Sequence, residues 1–143
     1  LKTSHGDFSA RLASAQAVAK NPRMIVTDIE VRLGLTYTSD TLAAIVARAP
    51  EAHFVWLMGA DNLAGFHHWK DWQGIANTLP IAVIARPGTG PGERNSPFAR
   101  RFARNRVPTA AAPTLAATLP PAWTYLPAPL DPTSSTVLRA ARS

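Results

Sequence analysis

Two runs along the chain carry almost no polar residue: "HFVWLMG" at 53–59 and "IAVIARPG" at 81–88. A strand buried on both faces reads this way, as a short apolar run closed by glycine or a turn. Around them the pattern changes period. "FSARLASAQAVAKNP" places Leu12, Ala15 and Ala19 on one helical face, with Ser9 as the expected cap and Asn21-Pro22 as the stop. "RMIVTDIEV" (23–31) is rich in β-branched residues and predicts a strand. "YTSDTLAAIVARAP" opens on a cluster of capping residues and ends at Pro50, which predicts a helix over 39–49. "ADNLAGFHHW" and "DWQGIANTLP" predict two short helical pieces with a break near Trp69–Asp71. Ser96 before Pro97 starts another helix, because proline at the first helical position lacks only an N–H that would have no partner. A Pro/Ala/Thr loop is expected from Val107 to about Pro121, then a strand at 123–128 and a last helix in "SSTVLRAAR".

Helix and strand therefore alternate. That order predicts an α/β fold, a parallel sheet flanked by helices. Ligands of such sheets bind beyond the carboxyl ends of the strands. The informative residues are then Gly59-Ala60-Asp61, Arg86-Pro87-Gly88 and the turn before Ser134.

Composition narrows the class. At 143 residues, with 46% hydrophobic and 17% charged, the chain suits one globular domain over 1–143. No apolar run approaches the ~18 residues of a membrane helix, and no membrane partner is expected. The absence of cysteine excludes disulfides, zinc–thiolate centres and a cysteine nucleophile. "LKTSHGDFSARL" has no apolar leader segment, so a cytoplasmic location is expected. The net charge of +6 is concentrated in Arg94, Arg100, Arg101, Arg104 and Arg106, offset by Glu93. A solvated helix face accounts for that run. No aromatic residues recur among the arginines for base stacking, and no nucleic-acid partner is expected. An assembly of like chains stays open.

Two stretches carry candidate chemistry. "TSSTVLR" (133–139) puts hydroxyl groups at a helix start and a guanidinium one turn later. That is either a phosphate cradle, since helix N-termini attract anions, or an ordinary capped helix. "GADNLAGFHHWKDW" (59–72) puts Gly59, where a ligand can approach the backbone, beside the Asp61 carboxylate. Trp69 and Trp72 either stack on a ligand ring or fill the core. His67-His68 lacks the spacing of a metal pair. Neither "GxGxxG" nor "GxxxxGK[ST]" occurs, and there is no "GxSxG" elbow for a serine nucleophile.

Taken in order, "YTSDTL" (37–42), "FVWLMGADNLAGFHHWKDW" (54–72), "IAVIARPG" (81–88) and "SSTVLR" (134–139) resemble the bacterial nicotinate mononucleotide adenylyltransferases. The resemblance implies a Rossmann-like nucleotidyltransferase fold. It also implies transfer of AMP from ATP to nicotinate mononucleotide, with Mg²⁺, giving deamido-NAD and pyrophosphate in NAD biosynthesis. By the same resemblance Gly59, Asp61, Ser135, Thr136 and Arg139 bind ATP. Lys2, Thr38, Thr41, Trp69 and Arg86 bind the mononucleotide.

The family's "GxFxPxHxGH" phosphate-binding turn, whose histidines act in catalysis, is not found in these 143 residues. His5 in "TSHGDF" does not match it, so no catalytic residue is assigned. The resemblance thus implies that the domain is incomplete at its N-terminus by a strand–helix–strand unit of about 30 residues. In the family those strands lie mid-sheet, between 23–31 and 53–59, so residues 1–143 alone are expected to be unstable and inactive. The competing readings are a catalytically inactive nucleotide-binding remnant and a nucleic-acid or acidic-partner binder using Arg94–Arg106.

Overall fold

A computed structural model describes residues 5–90, 92 and 95–127. The chain divides into two compact units, Leu1–Thr36 and Tyr37–Ser143.

The first unit holds α1 (His5–Val18) and α2 (Ile29–Leu33). Helix α1 begins ahead of Ser9, so Ser9 lies inside the helix instead of capping it. The strand expected at 23–31 does not form. Residues 24–28 are irregular and the rest enters α2, which ends at Gly34 in the left-handed conformation that glycine adopts without strain. A β-branched run becomes a strand only when another strand takes up its backbone groups. None does so among the described residues, and Ile25 is 87% exposed.

The second unit is built on three parallel strands, β1 (Trp56–Gly59), β2 (Ile81–Ile84) and β3 (Trp123–Leu126), in that spatial order. Register pairs Trp56 with Ile81 and Gly59 with Ile84, and Ile81 with Trp123. The central strand is buried at Ile81, Ala82 and Val83, which explains its unbroken apolar run. The apolar runs extend further than the paired residues, so the strands are shorter than the sequence suggested.

One face of the sheet carries Met58, Ile81, Val83, Trp123 and Tyr125. Against it pack Phe66, Leu63, Ile75 of α4 (Trp72–Thr78), and Phe98 and Phe102 of the next helical segment. Phe66 is the centre of that layer, with ring centroids 5.3–6.2 Å from Trp56, Trp69, Trp72 and Phe98. Helix α5 (Pro97–Arg101) starts as expected, with the Ser96 hydroxyl accepting from the Ala99 N–H at 3.2 Å. Trp123 is fixed by its indole N–H, which donates to the Phe102 carbonyl at 2.8 Å.

The other face carries Ala82, covered by Leu115 and Ala122. Leu115 comes from Thr109–Ala117, expected as loop but folded as a 3-10 helix. Pro113 denies that segment an N–H donor in mid-helix, which disfavours a regular α-helix. Thr109 and Thr124 tie the layer to the sheet by hydroxyl bonds to the Tyr125 and Val107 carbonyls.

Helix α3 (Thr38–Arg48) packs beside α4. No described helix is long and apolar enough to cross a membrane. The last helix expected, 134–142, lies outside the described residues, as does Lys2.

Candidate functional site

Strands β1 and β2 are parallel and in register, so the residues that leave their carboxyl ends emerge side by side. Asp61 follows Gly59 by two positions and Arg86 follows Ile84 by two, and Gly59 and Ile84 are register partners. Their side chains meet: Arg86 Nε is 3.2 Å from Asp61 Oδ1. Both are about half exposed, at 56% and 54%.

Gly59 makes that meeting possible. A Cβ there would stand 2.5 Å from Arg86 Nε and collide with Asp61 Oδ1 as well. Its φ of −68° is open to any residue, so space and not backbone conformation demands glycine.

Arg86 is held from behind by a turn. The Thr89 N–H donates to the Arg86 carbonyl at 3.1 Å, and Gly88 has φ +81°. Proline followed by glycine at positive φ is the signature of a type II turn. The Thr89 hydroxyl also donates to the Arg86 carbonyl at 2.6 Å and accepts from the Arg86 N–H at 3.2 Å. Thr89 was not among the residues the sequence singled out, although "RPGT" held the Pro-Gly signal that places it.

A second cluster forms at the start of α3. The Thr38 and Ser39 N–H groups open the helix without an acceptor among the described residues, as the first N–H groups of a helix do. Thr41 is buried at 5%, its hydroxyl donating to the Tyr37 carbonyl at 3.2 Å. This turn is tied to the residue after Trp69. Lys70 Nζ is 2.9 Å from Asp40 Oδ2 and 4.3 Å from the centre of the Tyr37 ring. Trp69 itself is half-buried, its ring 5.8 Å from Trp56 and 5.5 Å from Phe66.

Trp72 lies between Phe66 and Phe102, so both tryptophans of this stretch pack against the core and both are partly exposed. His67 and His68 stack on each other, with ring centroids 3.8 Å apart. Tyr37, Asp40 and Lys70 escaped the sequence reading because their relation spans some thirty positions.

Among the described residues, then, Gly59, Asp61 and Arg86 come together at the strand ends. Thr38, Thr41 and Trp69 are linked through Asp40 and Lys70. Ser135, Thr136 and Arg139 lie outside the described residues. No group of three or more His, Cys, Asp or Glu that could hold a metal exists among the described residues. Arg100, Arg101, Arg104 and Arg106 are exposed. The Arg101 and Arg106 guanidinium groups stand over the rings of Phe102 and Trp123, which are themselves buried and offer no surface for base stacking.

No family model matches the chain. Individual relatives do. A protein of Cereibacter sphaeroides named "Probable nicotinate-nucleotide adenylyltransferase" is 56% identical over 131 residues, covering 92% of this chain and 69% of its own length. Proteins of the same name from a Caulobacter species and from Rhizobium meliloti are each 48% identical. They cover 100% and 93% of this chain, and 77% and 71% of their own lengths.

Proposed function

Since the chain belongs to the nicotinate-nucleotide adenylyltransferase family, we propose that it serves to transfer AMP from ATP to nicotinate mononucleotide. The mononucleotide's phosphate oxygen attacks the α-phosphorus of ATP. A new phosphoanhydride bond forms, the bond to the β-phosphate bridging oxygen breaks, and pyrophosphate departs with the electron pair. No covalent bond to the protein is required, so the protein's task is to position two polyanions and offset their repulsion.

The observation that carries this reading is the convergence of Asp61 and Arg86 above Gly59 at the ends of adjacent parallel strands. The Asp61 carboxylate accepts hydrogen bonds from the ATP ribose hydroxyls, and the adenosine lies beside the backbone at Gly59. The Arg86 guanidinium faces the mononucleotide's phosphate. The Thr38 and Ser39 N–H groups receive the nicotinate carboxylate, Thr41 shapes that helix start, and the Trp69 indole lies against the pyridine ring. By the family resemblance, the Ser135 and Thr136 hydroxyls and the Arg139 guanidinium receive the ATP phosphates.

Mg²⁺ would accompany ATP. An ion of this kind is usually held by the nucleotide's phosphates and water. Its contribution when bound is to neutralise phosphate charge. The place of work is the cytoplasm.

Incubating the protein with ATP and nicotinate mononucleotide, and detecting pyrophosphate by a coupled assay, tests the reading. Pyrophosphate release that requires both substrates supports it. Nucleotide binding without release would leave only a nucleotide-binding role.

A further inference from the structure

We infer that Asp61 and Arg86 form one two-state element that couples the two substrates: closed in the free crevice, opened by whichever substrate arrives first, and therefore favouring the second. The inference rests on the substrate assignment above and extends it from two separate subsites to one linked pair.

The geometry leaves the two side chains little independence. Each lies two positions beyond the end of a strand, the two strands are neighbours, and the glycine between them has no side chain to keep the charges apart. Among the described residues neither side chain makes another ion pair or hydrogen bond. In the free crevice each is therefore the other's partner.

The chemistry of the ligands makes that pairing a competitor. A phosphate that approaches the guanidinium meets the Asp61 carboxylate at the same place, and two anions repel. Ribose hydroxyls that approach the carboxylate find one oxygen already taken by Arg86. Either ligand gains its full interaction only after the pair has separated. Once the first ligand has separated it, the second finds its group already free.

The pair's exposure sets the size of the effect. A half-exposed ion pair contributes little, so it opens readily, and the coupling is limited to about two- to fivefold in affinity. Because binding free energies are reciprocal, each substrate must help the other by the same factor.

The test is titration calorimetry of nicotinate mononucleotide and of α,β-methylene-ATP, a non-reacting ATP analogue, each alone and in the presence of the other. In the unaltered protein each ligand should tighten the other about two- to fivefold. Asp61→Asn should bind the mononucleotide more tightly by that factor and the ATP analogue less tightly. Arg86→Gln should show the opposite pair of changes. In both variants the coupling should vanish.

This crossed pattern of gain and loss is one that a general loosening of the crevice would not produce. If both variants weakened both ligands, or kept the coupling, the linked pair would be disproved with the substrate assignment intact. Binding of both ligands without coupling in the unaltered protein would have the same consequence. If the unaltered protein bound neither ligand, the assignment would fall and this inference with it.

Discussion

Lys70 Nζ sits 2.9 Å from Asp40 Oδ2, joining the residue after Trp69 to the first turn of α3 thirty positions away. The same ammonium lies over the Tyr37 ring, so one cation holds both an acidic and an aromatic partner. Both charged side chains are about half exposed, and each contact is worth only about 0.2–1 kcal/mol. Lys70→Met should therefore leave thermal stability nearly unchanged. Its effect should fall on the placement of Trp69. KM for nicotinate mononucleotide should rise about three- to tenfold, on the order of 1 kcal/mol, while KM for ATP stays constant. Lys70→Arg should restore most of the loss, and steady-state kinetics with each substrate varied in turn checks both.

Gly59→Ala separates local geometry from folding. The added methyl meets the far ends of two flexible side chains, Asp61 and Arg86, which can swing away. Stability should change by less than about 1 kcal/mol. Turnover should nevertheless fall tenfold or more, because both groups are displaced from the strand ends at once. Chemical denaturation alongside the pyrophosphate assay distinguishes the two effects.

Phe66 tests the opposite case. It is fully buried and touches Trp56, Trp69, Trp72 and Phe98. Phe66→Ala should cost about 3–5 kcal/mol, the loss expected for a buried aromatic that leaves a cavity. That is a large fraction of the roughly 5–15 kcal/mol by which an ordinary domain is stable. The midpoint of urea unfolding measures it.

Strand β1 pairs with β2 on one side and with no strand on the other among the described residues. Leu57, at its middle, is 62% exposed. An open, apolar edge strand invites pairing with another chain. Residues 1–143 expressed alone should self-associate, and Leu57→Lys should reduce that association. Size-exclusion chromatography with light scattering is the measurement.

The strands around the crevice were legible because burial on both faces leaves a mark in the sequence itself. Ile81, Ala82 and Val83 are apolar in succession since each faces a covered side. The run at 23–31 carries a similar mark and forms no strand, because β-branched composition states only what would fit a sheet. Pairing is a property of two segments. The 3-10 helix at Thr109–Ala117 was hidden for another reason: its bonds reach only three residues, and proline, alanine and threonine give no period to read.

At the site, the residue types were legible and their relations were not. Gly59, Asp61 and Arg86 could each be singled out as residues just beyond a strand. That Asp61 and Arg86 touch follows from the parallel register of β1 and β2, which no local pattern encodes. Trp69 and Trp72 were indistinguishable in the sequence. In the structure both pack against Phe66 and differ in their other ring neighbour, Trp56 for Trp69 and Phe102 for Trp72.

The sheet's two coverings differ in thickness. On one side lie four phenylalanine and tryptophan rings around Phe66; on the other lie Ala82, Leu115 and Ala122, with Val55, Val107 and Leu126 packed against them. Slack is therefore distributed unevenly through the domain. At Ala82, which is 3% exposed, an enlargement such as Ala82→Leu would push the 3-10 layer outward, at a cost of about 1–3 kcal/mol. Drift in this lineage should leave the thin side almost invariant in volume, while the ring-filled side exchanges one large side chain for another.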